Sequence, residues 1–320
     1  MSTRDQLAIA EATPVLATEP IASARPASLW RDTIGSILRQ RSARVGLVML
    51  TFLVLVAVFA PVIATHDPQA SLLGTEQNVV KRSGPCIHLL GCPADEPQHI
   101  FGTDGNFRDL YSRVVYGART SLTVGIAAVG FAIIIGTIVG AIAGFAGGGP
   151  DNILMRLMDV LLAFPALLLA IAIVTAAGRS LVNALIAIGI VSIPVYARIV
   201  RSSVITTRQA DFVTASRALG ESSLGILFRR IMPNSITPLI VAATLGIGGA
   251  VLEIAALAFI GVTGDLSNPE WGSIIGLEKD QIFRAPHLIL IPGLAITITV
   301  LAFNLLGDGL RDALDPRLNR

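Results

Sequence analysis

The hydrophobic and polar positions along the chain form long runs that contain no charged residue. A helix needs about 20 apolar residues to cross the hydrocarbon core of a membrane. Six stretches meet or approach that length, and a charged residue interrupts only the fifth: 45–65, 120–150, 160–178, 180–197, 231–264 and 285–307. The pattern therefore predicts an all-α membrane protein with six transmembrane helices.

Two local features refine this prediction. Arg179 separates the third stretch from the fourth within Ala-Ala-Gly-Arg-Ser, which indicates a tight turn, since one helix across both stretches would be far too long. Gly136, Gly140 and Gly144 are spaced by four within the second stretch and share one helix face. Stripes of small residues let helix backbones approach closely in lipid, so this face is predicted to pack against another helix.

Composition agrees with a lipid environment. The chain has 320 residues, of which 53% are hydrophobic and 14% charged, whereas soluble domains carry roughly 25% charged residues. Residues 1–27 are rich in Ala, Pro, Ser and Thr, which predicts a disordered tail. From residue 28 apolar residues recur at helical spacing among arginines, which favours an interfacial helix over a frayed helical linker. Residues 28–65 are thus predicted to hold this helix and the first span.

The distribution of basic residues predicts the orientation. With the N-terminus inside, 16 of the 24 lysines and arginines lie on the inner side, as cytoplasmic segments favour. Both termini are then cytoplasmic, including a tail at 309–320. Residues 66–117 form an extracytoplasmic loop, and 118–308 form a domain of five transmembrane helices. The predicted location is the plasma membrane, with the lipid bilayer as solvent.

The connector between the fourth and fifth stretches carries a short amphipathic helix at about 210–220. Phe212, Ala215 and Leu219 share one face of it, and Gly220 is a good C-terminal stop. Pro233 is predicted to open the next helix, where a missing N–H costs nothing. The apolar face needs a cover, which is either the protein's own helix bundle or a partner protein.

Glu253 is the one acidic residue within a predicted span. A carboxylate in the membrane is expensive and usually faces the bundle interior or water. Two interpretations stay open. Glu253 either belongs to a translocation path, where it meets a peptide amino group, or ties two helices by a hydrogen bond.

Cys86 and Cys92 lie close together in the predicted external loop. A close pair on an oxidising face favours a disulfide. Free thiols remain an alternative, and so does a zinc site, because His88 and His99 are nearby. The spacing matches no standard zinc finger.

Motifs for nucleotide binding and catalysis are missing from the sequence. The chain has two lysines, Lys81 and Lys279, and neither lies in a glycine-rich run, so the phosphate-binding pattern G-x-x-x-x-G-K-[ST] is absent. No Ser/His/Asp set or carboxylate pair stands out. The sequence therefore predicts neither an enzyme nor a cofactor, and no nucleic-acid partner. If nucleotide powers the protein, another chain binds it.

The connector resembles the signature loop of ABC importer permeases, E-A-A-x-x-x-G followed by nine residues and I-x-L-P. Ala215, Gly220 and Pro233 match that pattern at the right spacing. Four positions depart from it: Thr214, Ser216, Arg230 and Met232. Further segments resemble the second permease of dipeptide, oligopeptide and nickel importers: 102–104, 108–109, 112–122, 151–170, 253–261, 269–272 and 306–316. The family usually has a glycine where Phe107 stands.

The resemblance implies the fold and the partners. The fold would be that of a type I ABC importer permease. A second permease would complete the pathway, two ATPases would bind ATP, and an external binding protein would deliver substrate. The helix at Asp211–Gly220 would be the coupling helix in an ATPase groove. Di- or oligopeptides are the expected cargo, with nickel or another small solute as the alternative. An ion-coupled secondary transporter is a further alternative, although such proteins usually carry several buried ionisable residues.

Overall fold

The protein is helical throughout the residues that its computed structural model describes, which are 40–93, 95–264 and 267–314. No strand occurs in these ranges, where pairing is limited to three isolated bridges. The helices are α1 (Arg41–Ile63), α2 (Leu110–Ala146), α3 (Gly148–Leu162), α4 (Ala166–Ala177), α5 (Leu181–Arg208), α6 (Asp211–Ala218), α7 (Met232–Ile260), α8 (Trp271–Glu278) and α9 (His287–Leu314). A π-helical turn at Ile226–Ile231 runs directly into α7.

Five helical runs are long and apolar enough to cross a membrane: α1, α2, α5, the run Ser223–Ile260 that includes α7, and α9. On α1, Val48, Phe52, Val58 and Val62 are each more than 60% exposed. Exposed apolar side chains on a helix of this length indicate contact with lipid. The predicted all-α membrane fold is confirmed.

The third predicted span, 160–178, is not one straight helix. The chain bends by 90° between α3 and α4, at Ala163-Phe-Pro165. Pro165 has no backbone N–H, and a proline disfavours the α conformation at the residue before it, so the helix ends here. With 12 residues, α4 is about 18 Å long and too short to cross the hydrocarbon core by itself.

The bent pair nevertheless carries the chain from one end of the bundle to the other. Helices α2 and α5 run parallel, because Gly136 packs beside Ile193 and Gly144 packs beside Arg201 and Val204. The end of α2 and the start of α5 therefore lie at opposite ends of the bundle. Together with the five long runs, the bent pair brings the candidate crossings among the described residues to six.

The glycine stripe is the contact that sets the spacing between α2 and α5. A Cβ atom on Gly136 would lie 3.0 Å from the carbonyl oxygen of Ile193, and one on Gly144 would lie 2.8 Å from that of Arg201. The distance at Gly144 is shorter than real Cβ contacts, and the distance at Gly136 is shorter than nearly all of them. The predicted packing of this face against another helix is confirmed.

The predicted boundaries at the start of α2 and at the end of α9 need correction. Charged and small residues near the end of a helix do not by themselves stop the helix. Helix α2 begins at Leu110, inside the stretch 66–117 that was predicted to be a loop, since Asp109 caps it by accepting from the backbone N–H of Ser112 at 2.7 Å. Helix α9 continues to Leu314, into the predicted tail at 309–320. The predicted tail at 1–27, the interfacial helix before residue 40 and Pro316 lie outside the described residues.

The glycine stripe predicts that Gly140→Ala destabilises the bundle. A Cβ at this position would lie 2.9 Å from the Cβ of Val200 and 3.0 Å from the backbone nitrogen of Arg201, so the two helices must separate. We expect a loss of about 1–3 kcal/mol, measured by thermal unfolding of the detergent-purified protein. Gly130→Ala is the matched control on the same helix, because its added Cβ would meet nothing within 4 Å. Equal stability of the two variants would contradict the packing.

Candidate functional site

The connector, defined here as residues 209–231 between α5 and α7, presents the short helix α6. This helix was predicted at about 210–220 and spans Asp211–Ala218. Asp211 lies in its first turn, where a negative charge is favourable. At its other end Gly220 has φ +81°. The backbone N–H of Gly220 donates to the carbonyl of Arg217, and that of Glu221 donates to Ser216, both at 3.1 Å. This Schellman motif gives α6 a firm C-terminus.

Helix α6 packs with one face and exposes another. Val213 and Ser216 are buried against the bundle. Phe212 is 44% exposed and Leu219 is 88% exposed, and Ala215 between them is exposed as well. The apolar face of α6 was predicted to be covered either by the protein's own bundle or by a partner protein. Among the described residues, the bundle does not cover it.

The rest of the connector adds two apolar side chains that the sequence analysis missed. Leu224 and Phe228 are both 66% exposed. The sequence could have indicated them, because both are large apolar residues in a segment that is otherwise rich in polar residues. Arg230 pairs with Glu221 at 3.1 Å and closes the connector on itself. The connector thus offers exposed apolar side chains on a locally fixed scaffold.

Pro233 lies in the first turn of α7, as predicted, but it does not follow a loop. The π-helical turn precedes it, and the backbone N–H of Met232 donates to Leu227. Two side chains bond carbonyls of this turn: Asn234 Nδ2 donates to Arg230 at 2.7 Å, and Ser235 Oγ donates to Ile231 at 2.9 Å. The missing N–H of Pro233 is therefore accommodated inside a continuous helical run.

Glu253 is half-buried on α7. No hydrogen bond or ion pair joins it to another of the residues that the structure describes. A tie between two helices of this chain is thus not seen in the described ranges, and the two interpretations of Glu253 stay predictions.

The opposite end of the bundle carries a polar cap, defined here as residues 64–109 together with α8. Contacts between Trp271 and the start of α2 place it there: the indole Nε1 of Trp271 donates to the carbonyl of Val114 at 2.9 Å. Glu270 caps α8 by accepting from the backbone N–H of Ser273 at 2.8 Å, and it accepts from Ser121 Oγ of α2 at 3.1 Å. Burial raises the pKa of the Glu270 carboxyl despite these hydrogen bonds.

The segment 102–109, which carries the family resemblance, forms a buried ion-pair network in this cap. Asp104 accepts from Arg108 Nε at 2.7 Å and lies 3.5 Å from Arg113 Nε. Glu278 of α8 pairs with Arg82 at 2.8 Å and accepts from the backbone N–H of Gly105 at 2.6 Å. Buried charges are tolerated only when they are paired in this way. The network fixes the loop on the helices.

Phe107 adopts the backbone conformation that a glycine would adopt. Its φ is +60°, in the left-handed region that a Cβ atom disfavours. Phe107 therefore holds a conformation that favours glycine, the residue that the family usually has at this position. The reason is local: Asp104 Oδ1 accepts from the backbone N–H groups of Asn106 and Arg108 at 2.8 and 2.9 Å and holds the turn closed.

The structure pairs Cys86 with Cys92 in a disulfide whose Cα atoms are 5.4 Å apart. The two cysteines and the nearby histidines do not come together as the ligands of a zinc site. His88 contacts the carbonyl of Glu96 at 2.8 Å, and His99 turns away to contact Asp109 at 3.0 Å. The backbone N–H of Cys86 donates to the carbonyl of His99 at 2.8 Å, which anchors the small loop to the cap.

Comparison with known proteins agrees with this architecture. Residues 136–320 match the family described as binding-protein-dependent transport system inner membrane component. Residues 28–85 match the N-terminal TM domain of oligopeptide transport permease C. The chain therefore belongs to the family of inner membrane components of binding-protein-dependent transport systems, and it is a multi-pass membrane permease. The resemblance inferred from the connector and its flanking segments is confirmed.

Individual relatives extend over nearly the whole chain. The chain is 44% identical over 291 residues to the dipeptide transport system permease protein DppC of Alkalihalophilus pseudofirmus, covering 91% of each chain. It is 43% identical to the di/tripeptide transport system permease protein DppC of Pseudomonas aeruginosa, over 88% of this chain and 90% of that one. It is 39% identical to the glutathione transport system permease protein GsiD of Escherichia coli O6:K15:H31, over 90% and 91%.

The conformation of Phe107 predicts that Phe107→Gly stabilises the cap. Glycine adopts positive φ freely, whereas other residues pay about 1–2 kcal/mol. Phe107→Ala is the matched control, because it removes the same ring but keeps the Cβ atom. We expect the glycine variant to exceed the alanine variant by about 1 kcal/mol in thermal unfolding of the purified protein. An alanine variant as stable as the glycine variant would show that the turn holds no strain.

Proposed function

We propose that this chain is a permease subunit of an ATP-binding-cassette importer that carries di- or oligopeptides across the plasma membrane. Transport proceeds by alternating access, and separate ATPase subunits drive it. The observation that carries the proposal is the apolar face of α6. Phe212, Ala215 and Leu219 are exposed on a helix that is fixed by Val213 underneath and by the Gly220 turn at its end.

The face of α6 suits docking into a groove on an ATPase. An aromatic or aliphatic anchor that is exposed on a rigid helix is the usual centre of such an interface. Because only the four residues 219–222 separate α6 from the run Ser223–Ile260, a displacement of α6 is passed to a membrane-crossing helix. Asp211 and Pro233 belong to this unit as the start of α6 and the first turn of α7.

Several partners follow from this role. Two ATPase subunits bind and hydrolyse ATP, since the sequence lacks the phosphate-binding pattern. The chain itself then needs no cofactor and is not an enzyme. A second, similar permease completes the pathway, and an external binding protein delivers substrate to the cap. Both termini lie in the cytoplasm, which the distribution of arginines supports.

A peptide cargo is supported by the relatives. Those compared above are named for dipeptides, di- and tripeptides, and glutathione, and glutathione is itself a tripeptide. Specificity is expected to reside largely in the external binding protein, which is a separate chain.

The docking proposal predicts that Phe212→Ser uncouples ATP hydrolysis from transport. Loss of an interface anchor typically costs about 2 kcal/mol or more, so we expect peptide uptake by reconstituted complexes to fall at least tenfold, roughly as that energy implies. Membrane insertion and protein level should not change, because Phe212 does not contribute to the core. Thr214→Ala is the matched control, since Thr214 is exposed on another side of α6. Normal uptake by the Phe212 variant at normal protein levels would refute the docking role.

Glu253→Gln separates the two interpretations of that residue. If Glu253 lines the path and meets the peptide amino group, uptake of cationic peptides should fall selectively, because the attraction to positive charge is lost. If it ties helices, glutamine still forms a hydrogen bond, and the order of preference among peptides should not change. Competition between lysine-containing and neutral dipeptides for uptake provides the measurement.

A further inference from the structure

Two histidines and two carboxylates from separate segments of the cap meet at one point. His66 follows α1, Glu76 and His99 lie in the loop, and Asp109 caps α2. The two oxygens of Glu76 lie 2.8 Å from His66 Nε2 and 3.3 Å from His99 Nε2. The two oxygens of Asp109 lie 3.0 Å from His99 Nδ1 and 3.8 Å from His66 Nδ1. One ligand atom from each of His66, His99 and Asp109 falls within 4.8 Å of the others.

The cluster is closed on one side and open on the other. His99 is 2% exposed and Asp109 is 1% exposed. The side chains of His66 and Glu76 are 22% and 28% exposed, and a cavity of 590 Å³ borders His66. An ion can therefore enter past His66 and Glu76, while His99 and Asp109 form a fixed floor.

The hydrogen-bond donors in the cluster are too few for its acceptors. A neutral imidazole carries one N–H, and an ionised carboxylate is only an acceptor. Both ring nitrogens of His99 face carboxylate oxygens, so one of them presents a lone pair to an oxygen. Nε2 of His99 is buried and makes no hydrogen bond to any described residue. In the neutral ring this arrangement is unfavourable, and a positive charge at this point, from a bound cation or a second proton on the ring, removes the mismatch.

His66, on the exposed side of the cluster, also directs a ring nitrogen at an oxygen of Glu76. Its Nδ1 lies 2.9 Å from Thr65 Oγ1, and the Thr65 hydroxyl donates to Asp109 at 3.2 Å. In a neutral ring, His66 Nδ1 is then the donor to Thr65, and the lone pair of Nε2 is directed at Glu76. Two imidazole lone pairs thus face the same carboxylate. A cation beside Glu76 would complement these lone pairs and the carboxylate.

The geometry points to a divalent-cation site of the zinc class in the cap, with His66, His99 and Glu76 as ligands and Asp109 as the residue that orients His99. Zinc binds neutral imidazole nitrogen and carboxylate oxygen. A histidine that binds metal usually donates its other N–H to a carboxylate, as His99 does to Asp109. Such an ion would fasten the end of α1 to the start of α2. Its placement outside the membrane rests on the proposed function, but the binding itself does not.

Zinc retention by the purified transport complex tests this site. The complex is stripped with a chelator, incubated with Zn²⁺ at pH 7, desalted and analysed by elemental mass spectrometry. We expect about one zinc ion per copy of this chain. His66→Gln and His99→Gln should each weaken zinc binding by at least about tenfold. His88→Gln is the matched control in the same loop, because His88 contacts only a backbone carbonyl there, and it should bind zinc as the unaltered protein does.

X-ray absorption of the zinc-loaded, unaltered complex tests the ligands without any substitution. A first shell of nitrogen and oxygen with two imidazoles supports the site. Sulfur in that shell would place the ion outside this cluster and overturn the assignment. Failure of the unaltered complex to retain zinc would also overturn it and would show that protons alone hold the cluster together. Peptide uptake is not a readout here, so failure of this site is distinguishable from failure of the proposed function.

Discussion

The structure depends on one constraint, which is that hydrocarbon offers no partner to a backbone N–H or C=O group. Every crossing segment must therefore satisfy its own backbone as a helix. The places where this chain leaves helical geometry show how the constraint is met. At Pro233 the chain stays helical through a π-helical turn, and the side chains of Asn234 and Ser235 add hydrogen bonds to carbonyls of that turn. At Pro165 the helix ends and the chain turns by 90°.

Once the backbone is satisfied, packing decides how the helices meet. Lipid is as apolar as the helix surfaces, so burial of leucine or valine gains little there, and close contact between backbones becomes important. The glycine stripe on α2 brings that helix against the backbone of α5 along three turns. The parallel course of these two helices separates the connector from the cap. The connector and the cap thus lie at opposite ends of one pair of closely packed helices.

The cap and the connector use charge differently. In the cap, buried pairs such as Asp104 with Arg108 and Glu278 with Arg82 join distant parts of the chain. Burial of Asp109 alone would raise its pKa, yet hydrogen bonds from His99 and Ser112 and the nearby His66 keep the pKa of that carboxyl below its ordinary value. In the connector, charges remain near the surface, and several large apolar side chains are exposed beside them. The first arrangement holds a loop in place, and the second leaves apolar side chains uncovered among the described residues.

Much of this architecture follows from the sequence alone, because lipid makes span length and helix periodicity strong signals. The uncharged stretches predicted the membrane helices, the spacing of Gly136, Gly140 and Gly144 predicted a packed face, and the spacing of Phe212, Ala215 and Leu219 predicted the apolar side of α6. Other features were decided only by the tertiary structure. Pro165 ends the helix in the third span, but the angle of 90° between α3 and α4 depends on where these two helices pack. Whether His99 contacts the cysteines or Asp109 depends on how the loop closes over α2. These contacts join residues that are distant in sequence or oriented by a fold, and local periodicity contains no information about them.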